Sequence, residues 1–583
     1  MLGKRSVQYG MFEADHLYLD HVGRNTFYGF LASLRGRLFR DEEFAAFYCP
    51  DNGRLSVPPS LLATALLLQT YERVSDEEAK ARADFDLRWK VALGIGIEDR
   101  PFAKSTLQLF RSHLVLHDQV RAVFQKSLTL ARETGYLRGR KLKAVLDTSY
   151  ILGRGAVKDT YNLLADGILQ LIRGLAAGPG TEPAAWAAAQ GLSRYFGTSL
   201  KGEAAIDWDD PAQRRQLLGS MVADADGLLE TTRDVLAGMD PESTQYQSLR
   251  EAAGLLAQLL LQDIERPPDG PAIKEGVSPD RVVSVHDPEM RHGRKSASKR
   301  FDGHKAAIAV DPESQLITAV AVLPGNAPDH QQALDLVEET EANTGMEVEE
   351  SMGDCAYGDG RTRQAFADAG RKLVAKVPKR RGQAYFPKED FSIDLATMTC
   401  TCPEGHQCRT VTTMGSRDRH GAPGVPRQAF QFDGAVCDGC PLRPSCVRAR
   451  PGRGRTVMLH PQEALLQEAR ALQQSEEFAP YRKLRQAAEH RLARLMQLGV
   501  RQARYFGRTK TRFQLLMAAT VANLTLTATK VGLMGDPRPG RDHTSSLISD
   551  SLVVLIALWR KLSLMVFSTS IRPTQKGSFR PDF

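Results

Sequence analysis

The stretch KLKAVLDTSYI, residues 141–151, decides the fold. It is a short apolar run that reads as one strand and carries an acid, Asp147, at its end. The next strand signals lie far downstream. KAAIAVD (305–311) and LITAVAVLPG (316–325) are two strands joined by a turn at Pro312–Ser314. DHQQALDLVEETEAN (329–343) is an amphipathic helix, and MEVEESMGD (346–354) is a strand ending in Asp354. GRTRQAFADAG (360–370) reads as a helix and KLVAKVP (372–378) as a last strand. With the intervening residues set aside, the order is strand, strand, strand, helix, strand, helix, strand. That order predicts an α/β (α+β) fold with a mixed sheet.

The rest of the chain is arranged around this core. Residues 1–140 read as a helical N-terminal domain with a DNA-binding role, and Ser75 with Glu78 forms a capping-box start. The core begins at 141–157 and is interrupted by a Leu- and Ala-rich helical insert over 158–278. It resumes over 279–381, is interrupted again by a Cys-rich insert over 382–455, and ends with 456–535. TVMLHP (456–461) is a short strand, YRKLRQAAEHRLARLMQLG (481–499) is helical, and residues 536–583 form a tail.

Composition narrows the function classes. The 583 residues are 42% hydrophobic and 25% charged, which excludes a collagen-like, mostly disordered or disulfide-scaffold chain. No apolar run reaches the ~18–20 residues of a membrane span, and the first residues carry no signal-peptide pattern, so no membrane partner is expected. Lys plus Arg exceed Asp plus Glu by 77 to 69, for a net charge of +8. So small an excess matters only where it is concentrated.

Three acids stand out by position. Asp147 and Asp354 each end an apolar strand, where open sheets collect ligands, and Glu489 lies on the late helix. Carboxylates from separate elements converging on one point suit a pair of Mg²⁺ (or Mn²⁺) ions. Arg482, Arg485, Glu489, Leu492 and Met496 follow helical spacing and are expected on one face. Arginines beside a metal-binding Glu can clamp a phosphate backbone.

These motifs resemble the DDE transposases of bacterial insertion sequences, whose catalytic core is ribonuclease H-like. The resemblance rests on LDTSYILGRGAVKDTYNLL around Asp147, GDCAYG around Asp354, and the segment around Glu489. Asp354 with Tyr357 matches the family's second motif, and Tyr481, Arg485 and Glu489 look like its third. The family's Lys position is Met496 here, with Arg501 or Arg504 as substitutes for that DNA contact. The resemblance implies a triad of Asp147, Asp354 and Glu489 holding two Mg²⁺. It implies binding of terminal inverted repeats and target DNA, strand cleavage and strand transfer, with a homodimer in the DNA complex. The location it implies is the bacterial cytoplasm, at the nucleoid. The competing reading is a transposase-derived DNA-binding protein without catalysis.

Three basic runs flank the proposed core: Arg371–Arg381 with Lys379, Arg380 and Arg381, Arg291–Lys305, and Arg501–Arg512 with Arg501, Arg504 and Arg508. Such stripes bind nucleic acid by releasing counterions. Six of the eight cysteines fall within Cys400–Cys446. Cys437 and Cys440 form a CxxC knuckle suited to Zn²⁺, with Cys402 and Cys446 chosen to complete a structural site and Cys400, Cys408 and His406 competing. Free thiols or an iron–sulfur cluster are the other readings. Cys49 and Cys355 stand apart and read as buried thiols.

Overall fold

At the centre of the computed structural model lies β1 (Lys141–Leu152), whose Ala144, Val145, Leu146 and Ile151 are fully buried. The structure describes residues 1–5, 14–278, 280–296, 298–378, 385–417 and 423–534. Lys379, Arg380, Arg381 and the tail 536–583 lie outside the described residues. The remaining strands of the sheet are β2 (Arg291–Arg294), β3 (Arg300–Val310), β4 (Ile317–Pro324), β5 (Glu347–Met352) and β6 (Leu373–Val374). β3 lies antiparallel to β1, with β4 and the short β2 both antiparallel to β3. On the other side β5 and then β6 run parallel to β1. The spatial order β4-β3-β1-β5-β6 is consistent with an α+β core of the ribonuclease H-like kind.

β3 is continuously apolar over Ala306–Val310, where it is covered on both faces. It also crosses β1 closely at Gly303, whose φ is +149°. A Cβ there would sit 2.2 Å from the Ile151 carbonyl oxygen, so only glycine fits. Helix α1 (Ala333–Thr344) packs on the sheet beside β4, where the Thr318 and Thr340 hydroxyls meet at 2.9 Å. Helix α2 (Gly360–Asp368) connects β5 to β6.

The N-terminal helices share one apolar core with the sheet and with the late helices α3 (Gln486–Gln497) and α4 (Arg508–Lys530). The capping box holds: Glu78 N–H donates to Ser75 Oγ at 3.1 Å, and Ser75 N–H to Glu78 Oε2 at 2.8 Å. The helical block extends past Leu114 with a further helix, Val120–Glu133, against which α4 packs. Asn523, fully buried on α4, fixes this junction. Its Oδ1 accepts from Ile317 N at 2.9 Å, and its Nδ2 donates to Ile317 O at 2.8 Å and Ser127 Oγ at 3.3 Å.

The two inserts have cores of their own. Helices Thr160–Ala177, Pro211–Ala237 and Thr244–Asp263 pack around Ile168, Leu171, Met221 and Leu256. The Cys-rich insert forms two small sheets around Phe391, Phe430 and Phe432. The strand Thr456–Met458 belongs to the second of these, pairing with Ala429–Gln431 and not with the main sheet. Three expectations fail. Asp147 lies inside β1, five residues before its end, because the following residues go on pairing with β3. Only Leu373 and Val374 of KLVAKVP pair as strand, and the helix bearing Glu489 is broken at Arg485, where Ala479–Leu484 gives way to α3. Among the described residues no helix is long and apolar enough to cross a membrane.

The Asn523 clamp generates a prediction. Asn523→Ala leaves the Ile317 backbone groups buried without partners, so it is expected to destabilise the protein by on the order of 2–3 kcal/mol in denaturant titration. An unchanged midpoint would show that Ile317 finds other partners.

Candidate active site

Strand register brings the two aspartates together. Val145 on β1 pairs with Met352 on the parallel β5. Two residues further along each chain stand Asp147, still within β1, and Asp354, just past the end of β5. Helix α3 packs across β1 and β3 on buried Ala488, Leu492 and Leu495, which sets Glu489 opposite the pair. Asp147, Asp354 and Glu489 all line one cleft of about 410 Å³, together with Lys305, Asp329, Arg485 and Leu492.

The local chemistry orients each carboxylate. Asp147 Oδ1 accepts from Thr148 N at 2.8 Å. Asp354 caps the single turn Cys355–Tyr357, its Oδ1 accepting from Ala356 N at 2.8 Å. The Glu489 side chain is 60% exposed, with Arg485 Nη2 3.9 Å from its Oε1. Burial pushes the Asp147 carboxyl up to about 6; Asp354 and Glu489 add to the rise, while the Thr148 N–H and Arg485 oppose it. The site therefore gathers more negative charge than it can hold comfortably, and a cation would relieve this.

Two members of the cleft escaped the sequence reading. Asp329 is a fourth carboxylate, and Lys305 Nζ bonds its Oδ1 at 2.7 Å and the Ala327 carbonyl at 2.6 Å. Tyr150, three residues past Asp147, also lines the cleft. No sequence signal pointed to it, since strand alternation puts residues three apart on opposite faces.

The residues read as DNA contacts are placed unevenly. Arg485 lines the cleft, and Arg501 lies against the end of β1, donating to Tyr150 O at 2.8 Å. Tyr357 is only 1% exposed, so it packs beneath the acids and presents no surface to a nucleic acid. Its hydroxyl is pushed well above the usual tyrosine range by burial, reinforced by Asp147, Asp329 and Asp354. Tyr481 is turned to Glu350, its hydroxyl 3.0 Å from Oε1, and Arg482 lies over Phe478. Arg504 is 3.5 Å from Asp76, and Arg508 is 2.9 Å from Glu289, so both have internal acid partners. Met496, where the family carries Lys, packs against the core.

In the Cys-rich insert, Cys402, Cys437, Cys440 and Cys446 line one small cavity with His406, Phe432 and Val447. Burial raises the Cys446 thiol, and Cys437, Cys402 and Cys440 raise it further. Cys400 and Cys408 face each other across paired strands, and burial lifts Cys400 to about 12. Cys49 and Cys355, expected to be buried, are exposed: Cys49 follows the 3₁₀ helix Asp41–Phe47, and Cys355 opens the 3₁₀ turn Cys355–Tyr357. Both constellations hold donors of the right chemistry, oxygen in the cleft and sulfur in the insert. Among the described residues, however, no group of three or more His, Cys, Asp or Glu is spaced to hold a metal ion.

With this geometry in place, two family models match the chain. Residues 18–113 match a transposase domain (DUF772), and residues 401–527 match the transposase DDE domain. No curated protein and no solved structure matches the chain. The fold is consistent with these matches, and together the two matched segments support a DDE-type transposase of an insertion element. The matched DDE segment contains Glu489 but neither aspartate, so Asp147 and Asp354 rest on strand register alone.

The Asp147 carboxyl predicts a pH dependence. Its folded value, about 6, lies above the ordinary 3.8, so the stability it contributes is present below pH 4 and lost as pH rises through 6. In chelator, Asp147→Asn is expected to melt higher than the native protein at pH 7.5, by up to about 3 kcal/mol of stability, and nearly equally at pH 4. Thermal melts across that range check it; a difference independent of pH contradicts the assignment.

Proposed function

We propose that the protein binds the terminal inverted repeats of its own element, cleaves phosphodiesters at their ends and joins the resulting 3′-OH ends to target DNA. The observation that carries this reading is the register that sets Asp147 beside Asp354 at the mouth of a cleft faced by Glu489. The transposase domain matches support the same substrate class. Both steps are in-line displacements at phosphorus, so one site serves hydrolysis and strand transfer.

Asp147, Asp354 and Glu489 would hold divalent cations, Mg²⁺ or Mn²⁺, through carboxylate oxygens. When bound, such ions supply charge neutralisation at the phosphate and activation of the attacking oxygen. The chain's own residues do the rest. The N–H groups of Thr148 and Ala356 keep the two aspartates turned to the cleft. Arg485 lies where it can pair with a non-bridging phosphate oxygen, and the Lys305–Asp329 pair fixes the opposite wall. Tyr357 fills the space under the carboxylates and keeps water from beneath them. The DNA complex is read as a homodimer, with one copy at each end of the element.

We read the four cysteines around the insert cavity as ligands of one structural Zn²⁺, which would have to draw their sulfurs closer than they stand. The cavity, about 20 Å³, is walled by Phe432, Val436 and Val447 and has room for a single water-sized occupant. A metal-loaded insert would be held together by its thiolates, while the main core stands without them.

Two outcomes are expected. Glu489→Gln should abolish cleavage of a duplex spanning the element's terminus in Mg²⁺ while leaving its binding within about twofold, because charge at the phosphate is lost but the basic surface is kept. Full-rate cutting by this variant would refute the triad, and a native protein that binds but never cuts would favour the inactive, DNA-binding reading. Metal analysis of protein purified without chelator should find about one Zn²⁺ per chain, reduced in Cys437→Ser. Less than a tenth of an equivalent in the native protein would leave these as plain thiols.

A further inference from the structure

A basic hairpin overhangs the acidic cleft. β2 and the start of β3 pair as Arg291 with Gly303 through Arg294 with Arg300. The turn between them is closed by Lys295 N–H to Lys299 O at 2.9 Å and Lys299 N–H to Ser296 Oγ at 3.0 Å. This folds Lys295 and Lys299 back over Tyr150, with their Nζ atoms 5.5 and 5.4 Å from its ring centroid. The Lys299 ammonium also pairs with the Tyr150 hydroxyl and, with help from Arg501 and Lys295, lowers its pKa. Arg501 lies over the ring at 3.9 Å and is fixed there by its bond to Tyr150 O.

Among the described residues, none of Lys295, Lys299 and Arg501 has a carboxylate in ion-pair range, whereas Arg504 and Arg508 each do. The hairpin's own acid, Asp302, is taken by His292. Three cations around one phenol, with no acid to balance them, repel one another until an anion joins them. Tyr150 lies three residues beyond Asp147 on the same strand, about 10 Å away. An anion at Tyr150 and one at the carboxylates can therefore belong to one polymer.

We propose that Tyr150, Lys295 and Lys299, with Arg501 bracing the ring, form a clamp for a DNA backbone phosphate close to the one cut at the carboxylates. The inference rests on the transposase reading of the cleft and adds to it a second contact on the same strand. The two ammonium groups and the phenol O–H donate to the phosphate oxygens, while Arg501 acts as a positioning residue because one of its nitrogens is committed to Tyr150 O.

The test uses the full-length protein, Mg²⁺ and synthetic duplexes spanning the element's terminus, with a neutral methylphosphonate placed in turn at each phosphate near the cut. Lys295→Gln/Lys299→Gln, on an exposed turn, is expected to cut native DNA about 10-fold less efficiently, the scale of one charged hydrogen bond. One methylphosphonate position should cost the native protein a similar factor, and at that position the two losses should not multiply. Tyr150→Phe, which removes only the hydroxyl, should show a smaller loss with the same positional dependence. Losses that multiply at every position overturn the clamp while leaving the cleft assignment standing. A native protein that fails to cut the duplex overturns both, and the two failures are thereby told apart.

Discussion

The parallel pairing of β1 with β5 is the constraint on which the site depends. It carries two carboxylates into one cleft, where like charges repel. Burial of Asp147 is the larger cost, and with repulsion from Asp354 and Glu489 it lifts the carboxyl to about 6. The sheet tolerates the strain because β1 is clamped on both sides, by β3 through eight residue pairs and by β5 through five. Local preference alone would push the acids apart; the ladders on either side hold them in place.

Much of this was legible in the sequence. Strand order and both inserts follow from hydrophobic runs, but the run before Asp147 stops short of the strand, which continues to Leu152 because the polar residues after Asp147 still pair with β3. What was not legible arises from contacts between distant segments. Lys305 and Asp329 join across 24 residues, and Tyr150 meets Lys295 and Arg501 across 145 and 351. No local pattern encodes such meetings. The hairpin at β2 was hidden because RHGR has almost no β-branched or aromatic content. Tyr357 misled for the opposite reason. Its spacing from Asp354 is that of a motif, but a single 3₁₀ turn directs the ring inward, where spacing alone suggested a surface contact.

The inserts illustrate how a sheet survives long interruptions. The helical insert leaves after β1 and returns before β2, so it separates β1 from its partner β3 along the chain but not in the sheet, and the Cys-rich insert leaves after β6. Each carries its own apolar cluster and asks nothing of the central core. The chain between α3 and α4 does the reverse. After Gly499 turns with φ +89°, the backbone runs along the end of β1, with Leu152 N–H to Arg501 O at 2.9 Å and Ala503 N–H to Leu152 O at 2.8 Å. This short pairing lets a segment 350 residues away behave as an extension of β1.

That pairing also explains the distribution of charge. One strand, β1, carries an anion at Asp147 and, through Tyr150 and the segment docked on its end, a cation at Arg501. The net charge of +8 spread over 583 residues would produce only a weak field. Some arginines near the core are neutralised by named acids, as Arg504 is by Asp76 and Arg371 by Glu341 at 2.7 Å. Lys295 lines the same cleft as Asp147, Asp354 and Glu489, and Arg501 lies against the Tyr150 that also lines it. A phosphodiester chain accompanied by divalent cations presents the complementary alternation of charge, and the order of residues on β1 matches it.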